Sequence, residues 1–243
     1  MNDFILNFGK SELLILLAML PTFVIGFIIY KKDIIEKEPF LLLLKLFLFG
    51  VLSTGVALFL EIYMQKIFAF SQETNFLSIL FRSFIIIALC EELIKWLFTY
   101  VITWRGKNFN YTYDAIVYSV FIALGFATME NIMVILFNNV SLLTSLLRGL
   151  ITVPAHAFFA ILSGYYLGLA KSYFARGWNR KAKKNICLSI ILPILMHGLF
   201  DFLLFTDNTV SIVLVTIFII YLYFSSYVKV SEASRKSKKI TEK

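Results

Sequence analysis

Seven runs of mostly apolar residues take up nearly the whole chain, and each approaches or exceeds the ~20 residues needed to cross a hydrocarbon core. They cover residues 12–30, 40–64, 78–104, 114–137, 143–174, 186–205 and 210–228. Lipid offers no hydrogen-bond partner to an open backbone, so runs of this length can only be helices with their ladders closed internally. Composition agrees. Of 243 residues, 60% are hydrophobic and 17% aromatic, far too apolar for a soluble domain of that size. The expected fold is all-α, a polytopic transmembrane bundle of about seven spans. It forms one domain over residues 1–228, followed by a basic tail, 229–243, expected to be disordered. The third and fifth runs exceed a simple crossing and imply tilt. Residues 206–209 supply a short polar turn between the last two. Asp3 and Lys10 precede a long apolar run with no small-residue cleavage site, so the first run is expected to be a retained span.

The net charge of +8 would suit nucleic acid, but its placement says otherwise. Of 23 Lys and Arg residues, 17 fall in the connections near 31–37, 105–107 and 171–184 and in the segment after 228. Only Lys10, Lys66, Arg82 and Arg148 fall on the opposite side, with Lys45 and Lys95 inside spans. That asymmetry predicts an N-terminus outside and a C-terminus in the cytoplasm, with the basic loops facing anionic lipid headgroups. Membrane lipids, not nucleic acid, are the expected charged partners. Cys90 and Cys187 lie in or beside apolar runs and read as small buried residues rather than a disulfide or metal pair.

Within the third run stands Cys90-Glu91-Glu92-Leu93-Ile94-Lys95. Each charge at membrane depth costs at least ~2.5–3.5 kcal/mol on insertion scales, so three together call for a use. At helical spacing Glu91 and Lys95 share a face. The fourth run adds Glu130-Asn131. The fifth adds Pro154-Ala155-His156, and the sixth adds Pro193 followed by His197 and Asp201. Each proline removes a backbone donor and leaves the carbonyl four residues earlier without its helical partner. At 1.5 Å per residue, Glu91 lies about 13 Å from Arg82 and His156 about 12 Å from Arg148. Counted from the outer ends of their runs, Glu130 and His197 lie roughly 10 and 12 Å deep. Four ionisable groups on four helices therefore share one level in the outer half of the membrane, and a common polar cavity explains this better than separate structural pairs.

Carboxylates and histidines around water are the parts of acid–base hydrolysis. Glu91 is the expected general base, with Glu92 its alternative. His156 and His197 would serve the oxyanion and the leaving group, with Glu130 and Asp201 orienting them and Lys95 pairing with Glu91 or Glu92. A purely structural pairing is the alternative for Lys95 and Asp201. No cofactor is required, although His156, His197 and a carboxylate would also suit zinc. Gly164-x-x-x-Gly168 reads as close helix packing. Asp33, Glu36 and Glu38 read as a solvated loop.

This ordered set resembles the PrsW family of intramembrane proteases, distant relatives of the type II CAAX prenyl endopeptidases. The likeness rests on Glu91-Glu92-x-x-Lys95, the Gly125 to Asn131 segment, His156-Ala157-Phe158-Phe159, Gly164 to Gly168, and His197-Gly198-x-x-Asp201. Asp33-x-x-Glu36-x-Glu38-Pro39 and the segment from Asp114 to Tyr118 also match, over about residues 15–205. The resemblance implies a multi-pass protein of the bacterial cell membrane. It implies a first, extracytoplasmic cut in a single-span anti-sigma factor, with a site-2 protease acting on the product and an extracytoplasmic-function sigma factor released. The catalytic set it carries is Glu91, Glu92, Glu130, His156 and His197, supported by Lys95, Asn131 and Asp201. The prenyl-protease relatives usually place an arginine one position beyond Lys95, which argues against prenylated substrates. A proton-coupled transporter or channel is the rival, and it predicts a polar path continuing to the cytoplasm, where Lys45 and Glu61 alone make a poor one. A catalytically inert scaffold is a third possibility.

Overall fold

The structure, a computed structural model, describes residues 2–138 and 140–240. The side chains of residues 2–13 lie outside that description, as does Lys243, so the charges of Asp3, Lys10 and Lys243 used above are not placed. The described chain is all-helical. Its helices are α1 (Asn2–Lys32), α2 (Phe40–Ile67), α3 (Phe76–Phe81), α4 (Leu89–Thr103), α5 (Asp114–Asn138), α6 (Leu142–Ala175), α7 (Asn179–Thr206) and α8 (Thr209–Arg235). Six of them, α1, α2 and α5 to α8, are individually long and apolar enough to cross a membrane. The third apolar run is helical over 76–103 but divided. A π-helical stretch, Arg82–Ala88, joins α3 to α4 and ends just before the Glu91-Glu92 pair. The sequence gives a uniform apolar period there and no sign of the wider turn.

Helix ends follow local chemistry. Pro39 precedes α2, where a missing N–H costs nothing. Asn75, Ser141 and Asn208 each accept a backbone N–H at the start of α3, α6 and α8. Between α7 and α8, Asp207 takes a left-handed conformation (φ 41°), so four polar residues suffice to reverse the chain, as expected for residues 206–209.

Packing is that of a bundle in lipid. Large apolar side chains such as Leu48, Leu52 and Phe59 of α2 and Ile217, Ile220 and Phe224 of α8 face outward. Gly50, Ser53, Thr54 and Ala57 turn α2 inward. A Cβ on Gly50 would collide with the Ile122 carbonyl, and one on Gly125 with the Phe47 carbonyl, so α2 and α5 cross at backbone contact. The Gly164 and Gly168 pair does the same for α6 against the Thr112–Ile116 backbone, as its spacing suggested. Helix α5 is the central post, buried along most of its length among α1, α2, α4 and α6. Pro154 and Pro193 stay inside continuous helices. The Leu150 carbonyl, which Pro154 leaves without its helical donor, accepts a hydrogen bond from the Tyr223 hydroxyl of α8. The last helix thereby closes the backbone gap one turn and a half before His156.

Three expectations need correction. Cys90 is buried, but Cys187, expected buried beside its apolar run, lies exposed on α7. The tail is not disordered from residue 229. Helix α8 continues to Arg235, and Ile240 and Lys238 then hydrogen-bond to the backbone of Asn110 and Thr112. Ser234 donates to the Lys32 carbonyl on α1. Basic composition suggested disorder, but the segment finds unpaired backbone in the α4–α5 connection. The acidic loop after α1 is not simply solvated either. Glu36 is exposed, whereas Asp33 and Glu38 are buried, because that connection folds onto the head of α5. Burial pushes the Asp33 carboxyl up to about 6 against the pull of Lys37. It pushes Glu38 up to about 7 against the Tyr118 hydroxyl.

Candidate active site

The first turn of α4 carries Glu91 and Glu92, one turn below them sits Lys95, and all three are buried. The Lys95 ammonium donates to Glu92 Oε1 at 2.6 Å, lies 3.5 Å from Glu91 Oε2, and donates to His156 Nδ1 at 3.1 Å. It also stands 4.4 Å from the centre of the Phe126 ring. An ammonium has only donors, so His156 Nδ1 accepts and its Nε2–H donates to Glu130 Oε2 at 2.9 Å. The hydrogen-bond pattern thus assigns His156 the neutral Nε2–H tautomer. His197 differs. Its Nδ1 donates to Glu92 Oε1 at 2.7 Å, while Nε2 faces Asp201 Oδ2 at 3.3 Å. Carboxylate oxygens at both nitrogens are satisfied by an imidazolium. The two rings meet edge to face with centroids 5.3 Å apart, and Phe159 stacks on His197 at 4.9 Å.

Glu91 is set apart from Glu92 by what it faces. Its Oε2 lies 4.0 Å from both His156 Nδ1 and His197 Nδ1, beyond hydrogen-bond reach of either. It lines a cavity of about 410 Å³ together with Glu61, Glu130, Arg148, His156, His197 and Asp201. Glu92 and Lys95 do not line it. The cavity is walled by the last turns of α2, α5 and α7 and the first turns of α6, through residues such as Leu58, Phe137 and Phe205. It therefore sits toward the end of the bundle away from the 31–37, 105–107 and 171–184 loops.

The family model described as PrsW family intramembrane metalloprotease matches residues 38–227, which include every member of this cluster. The chain belongs to the PrsW family. It is similar to Protease PrsW of Clostridioides difficile (strain 630), 34% identical over 230 residues, covering 93% of this chain and 94% of that protein. Protease PrsW of Oceanobacillus iheyensis is 34% identical over 209 residues, covering 86% and 90%. Protease PrsW of Bacillus subtilis (strain 168) is 31% identical over 175 residues, covering 72% and 75%. No solved structure matches the chain. As a PrsW-family member it is a peptidase, and its six long apolar helices make it a multi-pass membrane protein.

In this PrsW chain all eight residues singled out from the sequence converge. Asn131 does so through Arg148, which donates from Nε to Asn131 Oδ1 at 3.0 Å and from Nη2 to Glu130 Oε1 at 2.6 Å. The sequence places Arg148 only on the outer side of the fifth run, and Glu61 only on a poor inner pathway. Both line the cavity. That seven ionisable residues, from Glu61 to Asp201, surround one void is not visible from helix positions alone, since depth along a helix does not fix the direction a side chain takes. Arg148 bridges Glu130 and Asn131 and so holds the acceptor that fixes the His156 tautomer. Arg148→Gln is expected to lower kcat about ten- to hundredfold, the scale of a charge-assisted hydrogen bond, with unchanged helix content by circular dichroism. Lysine, lacking the planar fork, should rescue only part of it.

The residues also fit a metal. His156, His197, Glu91 and Glu92 each offer a donor atom, all within 4.8 Å of one another. Imidazole and carboxylate are zinc ligand types. The Lys95 ammonium stands among the same atoms.

Proposed function

We propose that the protein makes the first, extracytoplasmic cut in a single-span, membrane-anchored anti-sigma factor, by water that Glu91 activates inside the membrane of a bacterial cell. The observation that carries the reading is Glu91, the one carboxylate of the pair that faces the cavity, with Lys95 at 3.5 Å and two histidines at 4.0 Å. Glu91 takes a proton from water and the oxygen adds to the peptide carbonyl carbon. The C–N bond then breaks as the same proton passes to the leaving nitrogen. Positive charge for the oxyanion comes from His197, which lines the cavity and which Glu92 and Asp201 hold in place, while Lys95 beneath it pairs with Glu91 and Glu92. Glu130 orients His156. A metal, if bound, would be held by His156, His197, Glu91 and Glu92 and would supply an acidified water and a polarised carbonyl. Lys95 already places a cation among those donors, so the reading requires no metal step.

The anti-sigma role is supported by the resemblance of the ordered motifs and by a cavity set away from the basic loops. With about seven crossings and the N-terminus outside, that end is extracytoplasmic. Transport would need polar groups to continue inward. Instead, the stretch of α5 between the cavity and its head is packed with Val117, Val120, Ile122 and Leu124.

The test is purified protein in liposomes with a candidate single-span anti-sigma factor, with and without a strong chelator. The expected result is a single cut near the outer face that persists in chelator and feeds a site-2 protease. Loss restored by zinc would move the chemistry to a metal. No cut in any single-span substrate, with pH-gradient-driven uptake instead, would overturn the reading.

A further inference from the structure

At the opposite end of α5 lies a second group of carboxylates that peptide hydrolysis does not use. Asp33 and Glu38 come from the α1–α2 connection and Asp114 from the first position of α5. All three are at least nine-tenths buried, and one oxygen from each falls within 4.8 Å of the others. Asp33 Oδ2, Glu38 Oε2 and Asp114 Oδ1 are buried without any hydrogen-bond partner. Two of the companion oxygens are fixed. Asp114 Oδ2 accepts the backbone N–H groups of Asn110 (2.9 Å) and Tyr111 (2.6 Å), and Glu38 Oε1 accepts the Tyr118 hydroxyl (2.8 Å). The nearby Lys37 ammonium is turned to the Tyr30, Lys31 and Asp33 carbonyls instead. Three buried carboxylates thus gather around one point, each carrying an oxygen without a hydrogen-bond partner, an arrangement with a high cost in the absence of a cation.

We propose that Asp33, Glu38 and Asp114 form a second site that holds a hard divalent cation of the magnesium, manganese or calcium class. Oxygen ligands without histidine or cysteine select that class over zinc. The cation ties the α1–α2 connection to the head of α5. The site is separate from the catalytic cluster, since Asp114 and Glu130 are about 24 Å apart along α5 at 1.5 Å per residue. It therefore stands or falls independently of the hydrolytic reading.

The experiment uses full-length protein in detergent micelles, stripped with chelator, and Mn²⁺ as the probe, read by electron paramagnetic resonance after equilibrium dialysis. The His197→Ala background disables any metal site in the catalytic cluster. That protein is expected to retain about one Mn²⁺ per chain, displaced by excess Mg²⁺ or Ca²⁺. Adding Glu38→Gln or Asp114→Asn should weaken retention about tenfold or more, while Glu36→Gln, at an exposed position, should leave it unchanged. Failure of His197→Ala to retain Mn²⁺ overturns the proposal whatever the other variants do, as does undiminished binding in both Glu38→Gln and Asp114→Asn.

Discussion

Glu91→Gln is expected to lower the rate of peptide cleavage by a thousandfold or more, about the range that a positioned general base contributes. The amide keeps the size of the side chain and leaves the Lys95–Glu92–His197 links intact, so the thermal unfolding temperature in detergent should hardly move. Glu92→Gln should behave differently. Its carboxylate lies outside the cavity wall and bonds two cationic partners, so the substitution should lower both stability and activity. Reconstituted cleavage and unfolding curves on the two variants separate base from anchor. If Glu91→Gln cleaved normally while Glu92→Gln lost all activity at unchanged stability, the assignments would be reversed.

Lys95→Met carries the largest expected cost in stability, about 3–5 kcal/mol, the scale for removing one partner of a buried ion pair. Lys95 is shared by Glu92, Glu91 and His156 in an apolar surround. Its loss leaves Glu91 without its nearest cation and Glu92 with His197 alone, and removes the donor that holds His156 in its tautomer. The remedy is specific: Glu92→Gln added to Lys95→Met should recover part of the loss, because it removes one of two buried negative charges left with too little positive charge beside them. Unfolding of the single variant at the wild-type temperature would mean that the pairing contributes little.

The bundle was legible because lipid imposes so much. A crossing needs about 20 apolar residues, and a charge inside one is too costly to be incidental. Hence Glu91, Glu92, Lys95, Glu130, His156, His197 and Asp201 stood out, and the order of their motifs carried the family. What escaped was whatever depends on direction or on distant partners. Arg148 marked a depth in the sequence, but its side chain turns inward to Glu130 and Asn131. Glu61 sits one helix away from any motif, yet faces the same void. The π-helical stretch at Arg82–Ala88 has no periodic signature, although its Phe84 ring fills the space that Gly198 leaves on α7. Asp33 and Glu38 looked like loop acids because their partner, Asp114, is some eighty residues further along the chain. The tail looked too polar to order until the backbone of Asn110 and Thr112 was there to meet it.

The central claim is that Glu91, Glu130, His156 and His197 surround one pocket of water and use it. Thr152 lies on the wall of that pocket, one turn before His156, and Val153 beside it is fully buried in the core. In protein whose Cys90 and Cys187 are replaced by serine, Thr152→Cys and Val153→Cys can each be exposed to a small hydrophilic thiol reagent in liposomes. The account predicts modification of Thr152→Cys with loss of cleavage in proportion to labelling, and no modification of Val153→Cys. An unreactive Thr152→Cys, or a labelled one that still cleaves at full rate, would contradict it.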